Sequence, residues 1–229
     1  MTDLPGKAIH DFHFLKSKHK LFVRDTFGPK VEMPISYYFR KLESMPELER
    51  RALELCRGKV LDIGAAAGSH ALELQKNGLD VTALEISPSA CEVMKDRGLQ
   101  KIVCEDFFKF KVEKYDTLLL MMNGIGLSST LDGFVEFLEK AEELLTENGQ
   151  IIFDSCDVSY MYEHLQKPDQ YFGQVQCRYE YQDVFTDWFH WLYLDRKTMR
   201  NLSNKAGWNV KIDLEDRSDQ YLAVLTKKF

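Results

Sequence analysis

Val60-Leu-Asp-Ile-Gly-Ala-Ala-Ala-Gly-Ser-His70 decides how this chain is read. A short apolar run ends in residues with almost no side chain, and helix-period residues begin at Ser69. Strand, small-residue turn and helix start are the first half of a βαβ unit. Small residues at 64–68 let backbone amides approach a ligand closely, and the following helix N-terminus favours an anionic group. A dinucleotide-binding turn starting at Gly64 needs G-x-G-x-x-G, with glycines at 66 and 69. Those positions hold Ala66 and Ser69. Asp62 at the strand end also suits a cationic ligand group better than a pyrophosphate. Nicotinamide and flavin cofactors are therefore disfavoured.

The same alternation continues outward. Lys59–Ile63, Asp80–Ile86, Lys101–Cys104, Asp116–Met122 and Gln150–Ser155 read as buried strands. Asp116–Met122 is the most apolar of them and belongs at the centre of a sheet covered on both faces. Gly78 stops the first intervening helix. Ser87-Pro88 caps the second, which ends at Gly98. A third runs from about Leu131 to Glu147, with Asn148-Gly149 turning into the fifth strand. The pattern predicts an α/β, doubly wound, mostly parallel sheet.

Residues 1–57 form a mixed, partly helical leader whose last helix starts near Pro46 and stops at Gly58. Residues 157–195 hold eleven of the twenty-eight aromatics. There Val175, Cys177, Tyr179 and Tyr181 alternate with polar residues, and Phe189, Trp191 and Tyr193 share a second period-two pattern. They predict an antiparallel hairpin turning near Asp183–Asp187. Asp195 caps a further helix stopped by Gly207. Two last strands, Trp208–Leu214 and Gln220–Lys227, flank a turn at Asp216–Asp219.

The 229 residues are 45% hydrophobic and 29% charged, an ordinary globular composition. Lys and Arg number 30 against 36 Asp and Glu, a net charge of −6, which argues against gripping nucleic-acid phosphates. No apolar run reaches the ~18–20 residues of a membrane span, and Met1-Thr-Asp-Leu-Pro-Gly is not the start of a secretory signal. Five cysteines at 56, 91, 104, 156 and 177 contain no C-x-x-C pair. They read as reduced residues of a cytoplasmic protein, with no disulfide frame and no metal site.

With these residues in view, the central segment resembles motif I of the class I S-adenosylmethionine-dependent methyltransferases, written loosely D/E-x-G-x-G-x-G. Asp62, Gly64 and Gly68 match, while Ala66 stands where the family has its middle glycine, a substitution that reads as sterically mild. The likeness covers about residues 55–157 and resumes near 195–227. It implies a seven-stranded sheet with helices on both faces and a C-terminal antiparallel hairpin. It also implies S-adenosylmethionine as cofactor, with Ala65 and Ala66 in the turn. Glu85, 23 positions after Asp62, stands where the family takes both ribose hydroxyls, with Ile86 beside it. Glu105 or Asp106 would read the adenine amino group, with Phe107 against the ring. Asn123 and Gly124 would face the methionine end and the substrate, side chain included. As a strand-end acid, Glu85 is expected to contribute little to folding.

The acceptor follows by elimination. No [DN]-P-P-[YF] follows the fourth strand, no Pro-Cys occupies its loop, and no carboxylate set suggests a magnesium-dependent catechol site. A small-molecule acceptor remains; the alternatives are an RNA or protein methyltransferase, or a non-catalytic S-adenosylmethionine-binding module. Transfer rests on positioning, and a general base is needed only if the acceptor must lose a proton. The leader, especially Met33–Arg40, and the hairpin are expected to roof the acceptor pocket, with Tyr37, Tyr38, Tyr179 and Trp191 as its candidate residues. The chain is read as one domain, 1–229. Within it lie a leader or lid (1–57), a cofactor-binding core (58–156), an aromatic-rich insertion (157–195) and a terminal helix and hairpin (196–229).

Overall fold

The computed structural model describes residues 3–111, 113–164 and 168–228. Residues 1–2 of the expected leader, 112 of the core, 165–167 of the insertion and 229 lie outside the described residues. In chain order come α1 (Leu4–Phe14), β1 (Leu21–Asp25), β2 (Val31–Met33), 3-10 turns at Ile35–Phe39 and Leu42–Ser44, and α2 (Glu47–Leu55). Next are β3 (Lys59–Ile63), α3 (Ser69–Lys76), β4 (Asp80–Glu85), α4 (Pro88–Asp96), β5 (Ile102–Cys104) and β6 (Tyr115–Leu120). A 3-10 turn at Gly124–Ser128 leads into α5 (Leu131–Leu144) and β7 (Leu145–Cys156). Another at Ser159–Tyr162 leads to β8 (Gln174–Tyr181), β9 (Val184–Phe185) and β10 (Phe189–Leu192). The chain closes with α6 (Arg196–Lys205), β11 (Trp208–Glu215) and β12 (Gln220–Lys227).

Among the described residues, seven strands form one sheet in the order β11-β12-β7-β6-β3-β4-β5. β4–β5 and β6–β7 run parallel, and β12 is antiparallel to both β7 and β11. This is the expected α/β sheet with its C-terminal hairpin. The apolar β6 takes the middle place, with Leu118, Leu119 and Leu120 fully buried, as a strand covered on both faces requires. At the outer edge, β11 carries a bulge between Ile212 and Leu214. No helix among the described residues is long and apolar enough to cross a membrane.

Three local expectations change. The helix expected to reach Glu147 ends at Leu144, because Leu145 already pairs with Tyr115 in the sheet. The hairpin turns earlier than Asp183–Asp187: Gln182 and Asp183, both at positive φ, join Tyr181 to its partner Val184. That is the backbone a two-residue hairpin loop favours. The leader, expected to be partly helical, also supplies two strands. They join a second sheet in the order β10-β8-β1-β2, with β9 on β8.

The chain packs as two units. One comprises the residues up to Met45, Asp62–Phe110 and Gln176–Phe189. Its core contains Leu4, Ala8, Ile9, Leu21 and Ile35 from the leader, together with Ala67, Val93 and Tyr181. Leu21 faces Tyr181 across the β1–β8 ladder. The leader is thus part of the unit's core, and deleting it would expose the rest. The other unit comprises Pro46–Leu61, Lys111–Val175 and His190 onward. Tyr115, Phe134, Phe137, Phe153, Trp208 and Tyr221 are buried there. Asp195 caps α6 by accepting from the Lys197 and Thr198 amides.

Two positive-φ positions generate opposite expectations. Gly58 sits at φ +60°, and a Cβ there would run into the Asp116 carboxylate. That carboxylate accepts from the Lys59 amide (2.8 Å) and the Thr146 hydroxyl (2.9 Å). The turn after β3 has Gly64, Ala66 and Gly68 at φ +71°, +52° and +77°. Ala66 is therefore not the mild replacement its size suggests, since a left-handed L-residue costs roughly 1–2 kcal/mol. Gly58→Ala should destabilise by about 2–4 kcal/mol through backbone strain and displaced hydrogen bonds. Ala66→Gly should stabilise by about 0.5–1 kcal/mol after glycine's extra unfolded-state entropy is subtracted. Thermal melting checks both: Tm falls by roughly 5–10 °C in the first and rises by roughly 1–4 °C in the second. A melting temperature that drops in Ala66→Gly would contradict the strain at that position.

Candidate active site

In the first unit, β3 and β4 deliver Asp62 and Glu85 to the same turn. The Gly64 and Ala65 amides donate to the Leu84 carbonyl at 2.8 and 3.3 Å, and the Gly68 amide to the Ala65 carbonyl at 2.7 Å. The Ala66 amide donates to Glu85 Oε2 at 2.8 Å. These four amides are engaged inside the protein, so the turn offers a ligand clearance rather than those donors. Beside Gly64 that clearance is complete: a Cβ there would meet no atom within 4 Å. At Gly68 the glycine serves packing instead, since a Cβ would press on the Met94 side chain at 2.9 Å.

Glu85 is 8% exposed. Its Oε1 accepts from the Ser87 amide at 2.9 Å. Burial pushes its carboxyl above the ordinary range, against the pull of the Ser87 and Ala66 amides. A strand-end acid that contributes little to folding is therefore the wrong description. Removing this side chain would leave two amides without their acceptor. Asp62 is also buried, and burial raises its pKa against a lowering influence from His70 and the Ala71 amide. Its Oδ2 has no hydrogen-bond partner. Ile86, by contrast, is 68% exposed.

After β5, the Glu105 amide donates to the Glu85 carbonyl at 3.0 Å, fixing the next loop to the same strand end. Asp106 Oδ1 accepts from the Phe108 amide at 3.0 Å. The Phe107 ring is buried and meets Phe108 edge-on at 5.3 Å between centroids.

The leader reaches this turn as well. Ser69 Oγ donates to the Tyr38 carbonyl at 2.6 Å. Met33, Tyr38, Phe39, Tyr179 and Ala66 pack against one apolar cluster. Burial and the Glu85 charge push the Tyr38 hydroxyl up to about 12. Tyr179 lies 5.2 Å from Phe189 between centroids. Tyr37 is 49% exposed, with the Arg40 guanidinium 4.9 Å over its ring. Between Ser36 and Ser44 the segment lines an open surface hollow of about 530 Å³, to which Tyr37, Phe39, Arg40, Lys41 and Glu43 contribute. Ser87 was legible only as a helix cap. Its hydroxyl also donates to Asp3 Oδ2 at 2.5 Å, a contact with no local signature because the partner lies in the leader.

In the second unit, the turn after β6 is held hard. Met122 and Asn123 have φ of 60° and 55°, and such conformations persist only where surroundings over-determine them. The Asn123 amide donates to both Asp154 carboxylate oxygens, at 2.9 and 3.1 Å. The Asn123 side chain donates to the Leu192 carbonyl at 3.2 Å and accepts from Ser155 Oγ at 2.9 Å. The expectation that this side chain faces substrate is thereby corrected: its amide group is engaged within the fold. Asp154 and Ser155 carry no signal of this in the sequence, since only the folded register of β7 brings them to Asn123. The Gly124 amide donates to the Met121 carbonyl at 3.2 Å. Trp191 covers Gly126, where any Cβ would strike the indole.

The family described as a methyltransferase domain matches residues 61–153. The chain is 36% identical to a SAM-dependent methyltransferase from Bacteroides fragilis, solved in complex with S-adenosyl-L-homocysteine. That likeness covers 99% of this chain and 95% of the other, with a TM-score of 0.92. The CcbJ methyltransferase from Streptomyces caelestis shares the fold at 14% identity, covering 81% of this chain and 91% of that one with a TM-score of 0.66. So does the sugar N-methyltransferase KedS8 from Streptoalloteichus, at 12% identity over 90% and 97% of the two chains, with a TM-score of 0.61. A search of curated proteins yields no match. The likeness to the Bacteroides enzyme runs end to end and carries the βαβ turn with it; the chain belongs to the class I, Rossmann-like family of S-adenosylmethionine-dependent methyltransferases, enzymes that use S-adenosylmethionine as cofactor.

Proposed function

We propose that the chain methylates a small-molecule acceptor, working as a single domain in the cytoplasm. The observation that carries the acceptor class is the open hollow of about 530 Å³ beside Tyr37. Sites for small molecules run to roughly 300–1,000 Å³. Its lining of rings with the charges of Arg40, Lys41 and Glu43 suits a compact, polar acceptor. The net charge of −6 speaks against a nucleic-acid acceptor, and five free cysteines agree with a reducing compartment.

The residues at the turn fit the cofactor. The space beside Gly64 is clear of side chains, and Asp62 Oδ2 is a buried acceptor without a donor. Glu85 accepts from the Ala66 and Ser87 amides through its two oxygens, and an ionised carboxylate has about four such sites. When bound, S-adenosylmethionine supplies an electrophilic sulfonium methyl. Asp62 holds the methionine ammonium, Glu85 takes the ribose hydroxyls, and Ile86 flanks the sugar. Asp106, its carboxylate oriented by the Phe108 amide, reads the adenine amino group, with Phe107 behind the ring and Glu105 anchoring the loop. Gly64, Ala65, Ala66 and Gly68 supply clearance. The Tyr37–Arg40 segment excludes water and aligns the acceptor, with Tyr38 beneath it. Tyr179 packs with Tyr38 against the same apolar cluster. Positioning of this kind supplies several kcal/mol of a transfer barrier.

Glu85→Ala should weaken S-adenosylhomocysteine binding by about 2–3 kcal/mol, the scale of charge-assisted hydrogen bonds. It should also lower folding stability by about 2–4 kcal/mol through its two orphaned amides. Calorimetry below the melting transition separates the two effects, and unchanged affinity in folded protein would exclude the ribose role. Acidification gives a related signature. Burial raises both Asp62 and Glu85, and only their ionised forms bind. Affinity should therefore fall on acidification at a higher pH than ordinary carboxylates titrate, and Glu85→Gln should flatten part of that fall. Tyr37→Ala should raise the acceptor KM several-fold while leaving S-adenosylhomocysteine affinity unchanged. The acceptor itself is sought by incubating a cell extract with methyl-labelled cofactor: label in the low-mass fraction supports the proposal, and label confined to RNA or protein overturns it.

A further inference from the structure

Two cysteines that the methyltransferase chemistry does not use stand together behind Glu85. Cys104 ends β5 and is the ladder partner of Glu85 on β4. Cys91 lies in the first turn of α4, which follows directly from β4 through Ser87. The Cys91 sulfur is 3.7 Å from the Glu85 carbonyl oxygen, and the Cys104 sulfur is 4.0 Å from the carbonyl oxygen of the next residue, Ile86. The two sulfurs therefore stand against adjacent carbonyls at the same strand end. Cys104 is exposed and Cys91 partly buried, whereas Cys56 and Cys177 are buried. We propose that Cys91 and Cys104 are a thiol modification site, closing to a reversible disulfide that weakens cofactor binding.

The chemistry balances with a low-molecular-weight disulfide such as oxidised glutathione. The exposed Cys104 thiolate attacks one glutathione sulfur, breaking that S–S bond and expelling one glutathione thiolate, which takes the cysteine proton. Cys91 then attacks Cys104 Sγ in the mixed disulfide. The protein S–S bond forms, and the second glutathione leaves with the Cys91 proton. Two cysteine thiols lose two electrons and one glutathione disulfide becomes two thiols. The division of roles follows from environment. Burial, with Cys104 and the Glu85 charge nearby, pushes the Cys91 thiol up, so the accessible sulfur reacts first and the covered one resolves.

Closure removes two S–H donors from the carbonyls of Glu85 and Ile86. It also draws the start of α4 towards the end of β5, because bonded sulfurs stand only about 2.05 Å apart. The Glu85 carbonyl additionally holds the Glu105 amide, so one small movement reaches the loops on either side of the strand end. The effect on affinity rests on the proposed adenosine role of Glu85; formation of the bond does not.

The test uses the full chain, fully reduced and then incubated with oxidised glutathione. Peptide mapping should find one cross-linked pair containing Cys91 and Cys104, reversed by dithiothreitol. Cys91→Ser should instead trap glutathione on Cys104, and Cys104→Ser should remain reduced at Cys91. S-adenosylhomocysteine should bind the oxidised wild type roughly fivefold or more weakly than the reduced protein, within the usual range of coupling between sites, while Cys104→Ser shows no such change. A wild-type protein that stops at the mixed disulfide, or oxidises only at Cys56, Cys156 or Cys177, overturns the site. A mapped Cys91–Cys104 bond with unchanged affinity overturns its control of the cofactor. If reduced protein binds equally well with Glu85→Ala, the ribose role fails while the mapped disulfide stands.

Discussion

The carboxylate of Glu85 is the joint on which the first unit depends. One oxygen takes the Ala66 amide from the turn after β3, and the other takes the Ser87 amide from the start of α4. Ser87 in turn caps α4 by accepting from the Ala90 amide and donates to Asp3. Asp3 caps α1 by accepting from the Gly6 amide at 2.9 Å. A continuous line of hydrogen bonds therefore ties the starts of α1 and α4 to the turn that opens α3. Hydrogen bonds to charged groups contribute roughly 1.5–3 kcal/mol each, and leaving a buried donor unmade costs a similar amount. The joint carries a cost of its own: burial and the nearby Asp3 both disfavour the charge on Glu85. A strand-end acid thereby holds the architecture that positions it.

The second unit solves an equivalent problem around a carboxylate of its own, Asp154. Consecutive left-handed residues at Met122 and Asn123 are expensive, and neither is glycine. Every polar group of Asn123 that points inward has a fixed partner: Asp154, Ser155 or the Leu192 carbonyl. Ser155 also takes the Leu194 amide at 2.9 Å, so the strained turn is braced from β7 and from the chain beyond β10. Strain of this kind is held in place by the number of bonds that would have to break together.

The features legible in the sequence were those with local causes. Ser87-Pro88 announces a cap, Asp195 announces another, and the unbroken apolar run of β6 announces a central strand; each depends on neighbours a few residues away. What escaped depends on distant partners. β1 and β2 carry no regular alternation, and β1 becomes a strand because β8 pairs with it, with Leu21 opposite Tyr181. The early end of α5 follows from Leu145 pairing with Tyr115, a competition that helix-favouring Glu and Leu residues do not reveal. At the site, Asp62, Gly64 and Glu85 were legible because their spacing is chemical. The engagement of the Asn123 side chain, the left-handed Ala66 and the structural weight of Glu85 were not, since each is a property of backbone geometry or of a remote acceptor.

The bulge in β11 bears on how these molecules behave in a crowded solution. β11 is eight residues long and stands at the rim of the seven-stranded sheet, where unpaired backbone groups would template another chain. Asn209, Lys211 and Glu215 are exposed along it, and Arg51 and Lys211 both hold Asp213, at 2.7 and 2.5 Å. The kink between Ile212 and Leu214 interrupts the straight ladder a docking strand would need. The opposite rim, β5, is only three residues long. One edge is bent and charged and the other too short to extend, so the sheet can keep an apolar centre at high concentration without growing into an aggregate.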